Sequence, residues 1–108
     1  MSQPWFTHIK RGVKTVEGRL AKGKFASLKT GAVLIVGSGS ASAKPVVAVV
    51  TRVCRYAGFK EYLEQEGLAR TLPGVKGIDA GVAVYRKFYT VEAEREHGVL
   101  AIHMVVAS

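Results

Sequence analysis

A single cysteine, Cys54, in 108 residues excludes an intramolecular disulfide and any cage built from several thiolates. No apolar run approaches the ~20 residues that a membrane-spanning helix needs. The opening MSQPWFTHIKR lacks the apolar stretch of a secretory leader, so a reducing, cytoplasmic setting without a membrane partner is expected. Gly-Lys followed by Ser or Thr occurs nowhere, which removes a P-loop. "VLIVGSGSAS" (residues 33–42) starts like a dinucleotide-binding turn, but Pro45 and a second β-branched run follow where a helix would have to receive the pyrophosphate. It reads as a hairpin connection instead. The length suits one domain over residues 1–108.

Acidic side chains are also scarce, eight against sixteen basic ones. The imbalance is local. Residues 1–29 hold seven Lys or Arg against Glu17 alone, a net of +6, whereas residues 30–108 hold nine against seven, a net of +2. Clustered positive charge favours polyanions, because each phosphate contact releases condensed counterions. RNA or a nucleotide is therefore the partner class that charge points to.

Apolar spacing supplies the elements. Pro4 suits a first helical turn carrying Trp5, Phe6 and Ile9, with Gly12 to end it. Lys14–Leu20 then alternates: Val16, Gly18 and Leu20 on one face, Thr15, Glu17 and Arg19 on the other. Val33–Val36 and Val46–Val53 read as strands. Phe59, Tyr62, Leu63 and Glu66 follow a helical i, i+3, i+4, i+7 pattern closed by Gly67. That stripe puts a carboxylate on an apolar face near a helix C-terminus, either reaching sideways to water or aimed into a cleft between helix and sheet. Leu72-Pro73-Gly74 is a turn. A second amphipathic segment has Asp79 as a possible cap and Val82, Tyr85, Phe88 and Tyr89 on one side. Thr90 can cap a last helix bearing Glu92 and Glu94 in its first turns. Val99–Ala107 alternates, with Leu100, Ile102, Met104 and Val106 on one face, and its apolar character on nearly both faces suits an interior strand. The order α, β, β, β, helices, β predicts an α+β fold, a small mixed sheet or barrel with helices at its rim.

The histidines His8, His97 and His103 show no metal-ligand spacing, so neither a metal nor a cofactor is expected, and Cys54 has no identifiable partner. Tyr85 and Tyr89 are i, i+4 neighbours beside Arg86 and Lys87, a pairing able to stack a base or simply to pack. Lys14, Glu17 and Arg19 stand either as a surface ion pair with a neighbouring lysine or as a functional group.

"GVKTVEGR" (residues 12–19) fits Gly-x-Lys-x-x-Glu-x-Arg and resembles the signature of ASCH domains, members of the PUA-like superfamily. "LKTGAVLIV", "CRYAGFKEYLEQEGL" and "LPGVKGIDAGVAVYRKFYTVEAEREHGVLAIHM" are similar to that family's later segments, so the likeness spans nearly the whole chain. The resemblance implies a small PUA-like β-barrel with a basic cleft holding Lys14, Glu17 and Arg19, and binding of RNA or a modified nucleoside; Tyr85 is added as a candidate ligand contact from its own spacing beside Tyr89 and Arg86. Some relatives remove the acetyl group from N4-acetylcytidine, using a lysine, a threonine three residues later and a helix glutamate. Lys14 and Glu66 match two of these positions, but the threonine's place is taken by Glu17, and the pattern does not license Thr15 instead. In that reading Lys14, Glu17 and Glu66 carry the chemistry, a lysine lowered and a glutamate raised by burial exchanging protons near neutral pH. ASCH domains also occur in a transcriptional coactivator, which implies a protein-interaction module as a third reading. A monomer is expected.

Overall fold

The computed structural model describes residues 9, 11–12, 14–36 and 45–107, apart from the side chains of Lys24 and Ala107. The expected helix around Trp5 and Phe6, His8, and the small-residue loop 37–44 lie outside the described residues. Gly12 falls within them. Its φ of 77° and the bond from its N–H to the Ile9 carbonyl, 3.0 Å, give the left-handed stop expected of a glycine after a helical turn.

Among the described residues four strands form one antiparallel sheet: β1 (Val16–Leu20), β2 (Val33–Val36), β3 (Val46–Tyr56) and β4 (Val99–Ala107), in the order β1-β4-β3-β2. The C-terminal strand is interior, as its two apolar faces require. Val36 pairs with Val46, so β2 and β3 are adjacent antiparallel strands, as a hairpin connection predicts. Four short helices follow β3: α1 (Phe59–Glu66), α2 (Leu68–Thr71), α3 (Ile78–Arg86) and α4 (Val91–His97), and a 3-10 turn spans Gly23–Ser27. The result is an α+β half-barrel, a curled sheet with helices on one side.

The curl has a local cause. Val50 pairs with Met104 and Arg52 with His103, leaving Thr51 as an extra residue in β3. Such a bulge bends the strand and increases its twist. It also reverses side-chain parity. Before it, Ala48 and Val50 pack on the concave face with Met104, Leu100 and Ile102; after it, Cys54 and Tyr56 join the opposite, helix-covered face.

That helix-covered face holds the main core: Val16, Leu20, Val99 and Ala101 from the sheet against Phe59, Tyr62, Leu63, Leu72 and Tyr85. Burying each large side chain contributes about 1.5–3 kcal/mol. The i, i+3, i+4, i+7 stripe of α1 is buried as predicted, and Gly67 ends the helix with φ 86°. Thr90 caps α4, its Oγ1 accepting from the Ala93 N–H at 3.1 Å, a contact worth about 1 kcal/mol. Two expectations are corrected for α3. Gly77, not Asp79, is the N-cap residue, with Asp79 in the first turn, where its charge suits the helix dipole. Phe88 is exposed rather than packed beside Tyr85, because the helix ends at Arg86 and the 3.6-residue period no longer applies beyond it.

Candidate functional site

β1 is an edge strand, bonded on one side to β4, and the C-terminal end of α2 closes over its start. The Thr15 N–H donates to the Arg70 carbonyl at 3.0 Å, and the Met104 N–H to the Thr15 carbonyl at 3.0 Å. Lys14 is thereby drawn inside, its side chain 1% exposed. Its ammonium donates to the Val16 carbonyl at 2.8 Å and to the Thr71 carbonyl, and lies 3.6 Å from Glu17 Oε1. Three acceptors therefore surround a group with three donors. Burial lowers the Lys14 pKa below its ordinary value, and the neighbouring Glu17 charge offsets only part of that fall.

Glu17 links Lys14 to Arg19. Its Oε1 also accepts from the Gly18 N–H at 2.9 Å, and its Oε2 lies 3.7 Å from Arg19 Nη2. Arg19 reaches further out: 34% of its side chain is exposed, it approaches the Tyr89 hydroxyl at 3.4 Å, and its guanidinium stands 5.6 Å over the Phe25 ring. Gly18, between them, faces the helices. A Cβ there would come within 2.8 Å of the Tyr62 ring, so the motif's glycine is required by close approach.

Glu17 and Arg19 open on the concave face, into a cleft of about 620 Å³ walled by Phe25, Leu28, Leu34, Ile102 and Met104. Among the described residues these two are the charged groups on its lining, one of each sign. The wall is thus apolar with a polar end. The exposed basic residues Arg11, Lys22 and Lys29 come from the same stretch of chain as the motif.

Tyr85 is 5% exposed, and its ring stacks on Phe59 with centroids 4.5 Å apart. Tyr89 also stacks on Phe59, at 5.4 Å. Tyr85 therefore has no exposed ring face on which a base could lie; it meets the site through its hydroxyl, 3.0 Å from that of Tyr62. Burial raises the pKa of both phenols, and the Glu17 charge adds to the rise, so they stay protonated.

Glu66 is buried between helix and sheet, the second of the two placements its stripe position allowed. Its partners are Tyr56, whose hydroxyl donates to Oε2 at 2.6 Å, and His103, whose Nε2 stands 2.9 Å from Oε1. The structure thus brings Lys14, Glu17 and Arg19 together, and sets Glu66 in a second group on the helix-covered face. Its pKa also departs from expectation. Burial alone would raise it, but the contacts from Tyr56 and His103, together with the charge of Arg70, bring it below the ordinary value. The same hydrogen bond, with burial, pushes Tyr56 up to about 12.

Tyr56 and His103 were not marked as site residues by their spacing. Strand alternation in β4 does place His103 opposite the Leu100, Ile102 and Met104 face. Tyr56 is concealed by the bulge at Thr51, which no local signal announces.

Comparison with known proteins agrees with this architecture. The crystal structure of a hypothetical protein, PH0355, superposes with a TM-score of 0.90 at 38% identity, covering 99% of this chain and 94% of that one. The solution NMR structure of protein PF0455 from Pyrococcus furiosus gives 0.80 at 36% identity, covering 100% and 94%. No curated protein matches the chain. The family model described as "ASCH domain" matches residues 1–107, and the chain belongs to that family.

Proposed function

We propose that this ASCH domain binds RNA by taking one base, or a modified nucleoside, into the concave cleft. The observation that carries the reading is the pairing of Glu17 and Arg19 at the polar end of an otherwise apolar cleft. A nucleobase has the matching character: apolar ring faces and an edge of donors and acceptors. Arg19 supplies donors and Glu17 acceptors for that edge. Single-stranded RNA exposes such edges, whereas its double helix hides them. Lys14, fully enclosed, acts behind Glu17, holding its carboxylate beside Arg19. Arg11, Lys22 and Lys29, exposed on the same basic segment, suit phosphate contacts that position the strand without reading it.

The test is fluorescence anisotropy with labelled single-stranded RNA across a salt series. Affinity should fall steeply with salt, and Arg19→Ala and Glu17→Gln should each weaken binding by about 1–3 kcal/mol. Binding that ignores both substitutions would sink the assignment of this cleft.

A second reading, removal of an acetyl group from N4-acetylcytidine, is favoured by one feature: the lowered pKa of Lys14 beside Glu17. A lysine so placed can exchange a proton nearer neutrality. In this chain Glu66 would have to leave Tyr56 and His103 to join it. Incubation with N4-acetylcytidine and detection of cytidine by mass spectrometry distinguishes the readings; turnover abolished by Lys14→Ala in a folded variant would favour the hydrolase.

A further inference from the structure

The second group, on the helix-covered face, has a composition that the cleft does not explain. Cys54 Sγ, a Glu66 carboxylate oxygen and a His103 ring nitrogen all lie within 4.8 Å of one another. They come from β3, α1 and β4. Cys54 and His103 are diagonal neighbours on adjacent strands, since Cys54 pairs with Ala101 and His103 with Arg52. Glu66 is the last residue of α1, and the buried stripe of that helix fixes its direction.

Two details single the group out from an ordinary buried ion pair. His103 Nε2 is buried and, although 2.9 Å from Glu66 Oε1, lacks a well-aligned hydrogen bond. A buried ring nitrogen whose one close polar contact is poorly aligned has room for a better-directed partner. The other carboxylate oxygen, Oε2, is occupied by the Tyr56 hydroxyl at 2.6 Å, which leaves Oε1 turned toward the histidine. That is the arrangement by which a neighbouring hydrogen bond orients a ligating carboxylate.

We propose that Cys54, Glu66 and His103 form a three-ligand site for a borderline-soft divalent cation, with Zn²⁺ the best match. Thiolate, imidazole and carboxylate are all zinc ligands, and sulfur in the set disfavours Mg²⁺ and Ca²⁺. Charge balances, because a thiolate and a carboxylate neutralise a dication and the imidazole binds neutral. Arg52 and Arg70 are the cationic neighbours, and both are exposed, where solvent screens them. Bond lengths of about 2.0–2.3 Å in a tetrahedron place ligand atoms roughly 3.3–3.8 Å apart. The present Nε2 to Oε1 separation of 2.9 Å would open slightly, and the sulfur would close in. Three protein ligands leave the fourth position open, as in zinc sites that bind water or substrate rather than in closed structural ones. The site stands on other residues than the RNA cleft, so either assignment can fail without the other.

The full chain, kept reduced and stripped of metal, would be titrated with Co²⁺ and then Zn²⁺. One equivalent of Co²⁺ should bind with a near-ultraviolet thiolate charge-transfer band and visible bands of tetrahedral strength, and one equivalent of Zn²⁺ should displace it. Cys54→Ser should abolish the thiolate band. His103→Ala should weaken Zn²⁺ binding more than Tyr56→Phe does, the latter by about tenfold or more. Circular dichroism and melting would establish that each variant is folded, and His103→Asn gives a milder second test at that position. No saturable one-to-one binding by the folded wild type would overturn the proposal, and so would binding left unchanged in folded Cys54→Ser and His103→Asn.

Discussion

Two polar groups flank one sheet, and they are built differently. The first, Lys14, Glu17 and Arg19, is close in sequence: it spans six residues, with Glu17 and Arg19 on one strand face and the lysine closed over by Arg70 and Thr71 at the end of α2. The second, Tyr56, Cys54, Glu66 and His103, is assembled from two strands and a helix end. The Glu17 and Arg19 pair inherits its geometry from strand parity, and only Lys14 needs a distant element, α2, to fix it. An assembled group depends on every packing decision between its members. The contrast predicts that the first group is tied into stability through its lysine, while the second tolerates substitution better.

The largest expected effect is at Lys14. Lys14→Ala removes the ammonium from among three acceptors and leaves Glu17 and two backbone carbonyls buried without it. Removing one partner of a buried pair costs about 3–5 kcal/mol, to be read from urea unfolding. A cost under about 1 kcal/mol, the scale of an exposed ion pair, would break the comparison.

Gly18→Ala comes next. The added methyl would stand 2.8 Å from two Tyr62 ring carbons, and Tyr62 is fully buried against Phe59 and Tyr85. Overpacking of this kind costs about 1–3 kcal/mol. The melting temperature should fall, and RNA affinity of the folded fraction should change little, because Gly18 faces away from the cleft.

Tyr56→Phe removes one hydrogen bond to the second group while leaving the ring in place. The tyrosine is half-buried, so the expected loss is about 1.5 kcal/mol, the low end of the range for a bond to a charged acceptor. If this change proved costlier than Lys14→Ala, the ranking of the two groups would be reversed.

These differences also explain what could be read before folding. The Glu17 and Arg19 face, the buried stripe of α1, the Thr90 cap and the interior place of β4 all follow from period and composition. Each depends on a few adjacent residues. Glu66 was legible as a misfit on an apolar stripe, but not its partners. The bulge at Thr51 moves Cys54 and Tyr56 to the helix-covered face, against the parity that Ala48 and Val50 establish. Tyr85 failed as a base platform for a similar reason: helical spacing places it beside Tyr89, while the Phe59 ring that covers it arrives from another helix. The family signature names Lys14, Glu17 and Arg19, which the fold brings together, and does not include the histidine on the neighbouring strand β4.

The smallest expected effect is a slope, and it separates Lys14 from the phenols packed near it. The folded pKa of Lys14 is lowered, so between that value and the ordinary 10.5 the unfolded chain holds more protons than the folded one. Stability rises with pH wherever the unfolded state binds more protons, and Lys14 therefore makes the fold more stable as pH climbs through this window. Tyr62 and Tyr85 act oppositely. Their folded values are raised above the ordinary 10.0, so their contribution is complete below that value and is lost as pH rises beyond it. Measuring urea unfolding from neutral pH upward in the wild type and in Lys14→Met, and taking the difference, cancels the tyrosines and leaves the lysine. The difference should grow in favour of the wild type as pH rises. A flat difference would mean that the three acceptors around Lys14 fully compensate for its burial, and the ammonium would then be a fixed charge and no proton donor for chemistry in the cleft.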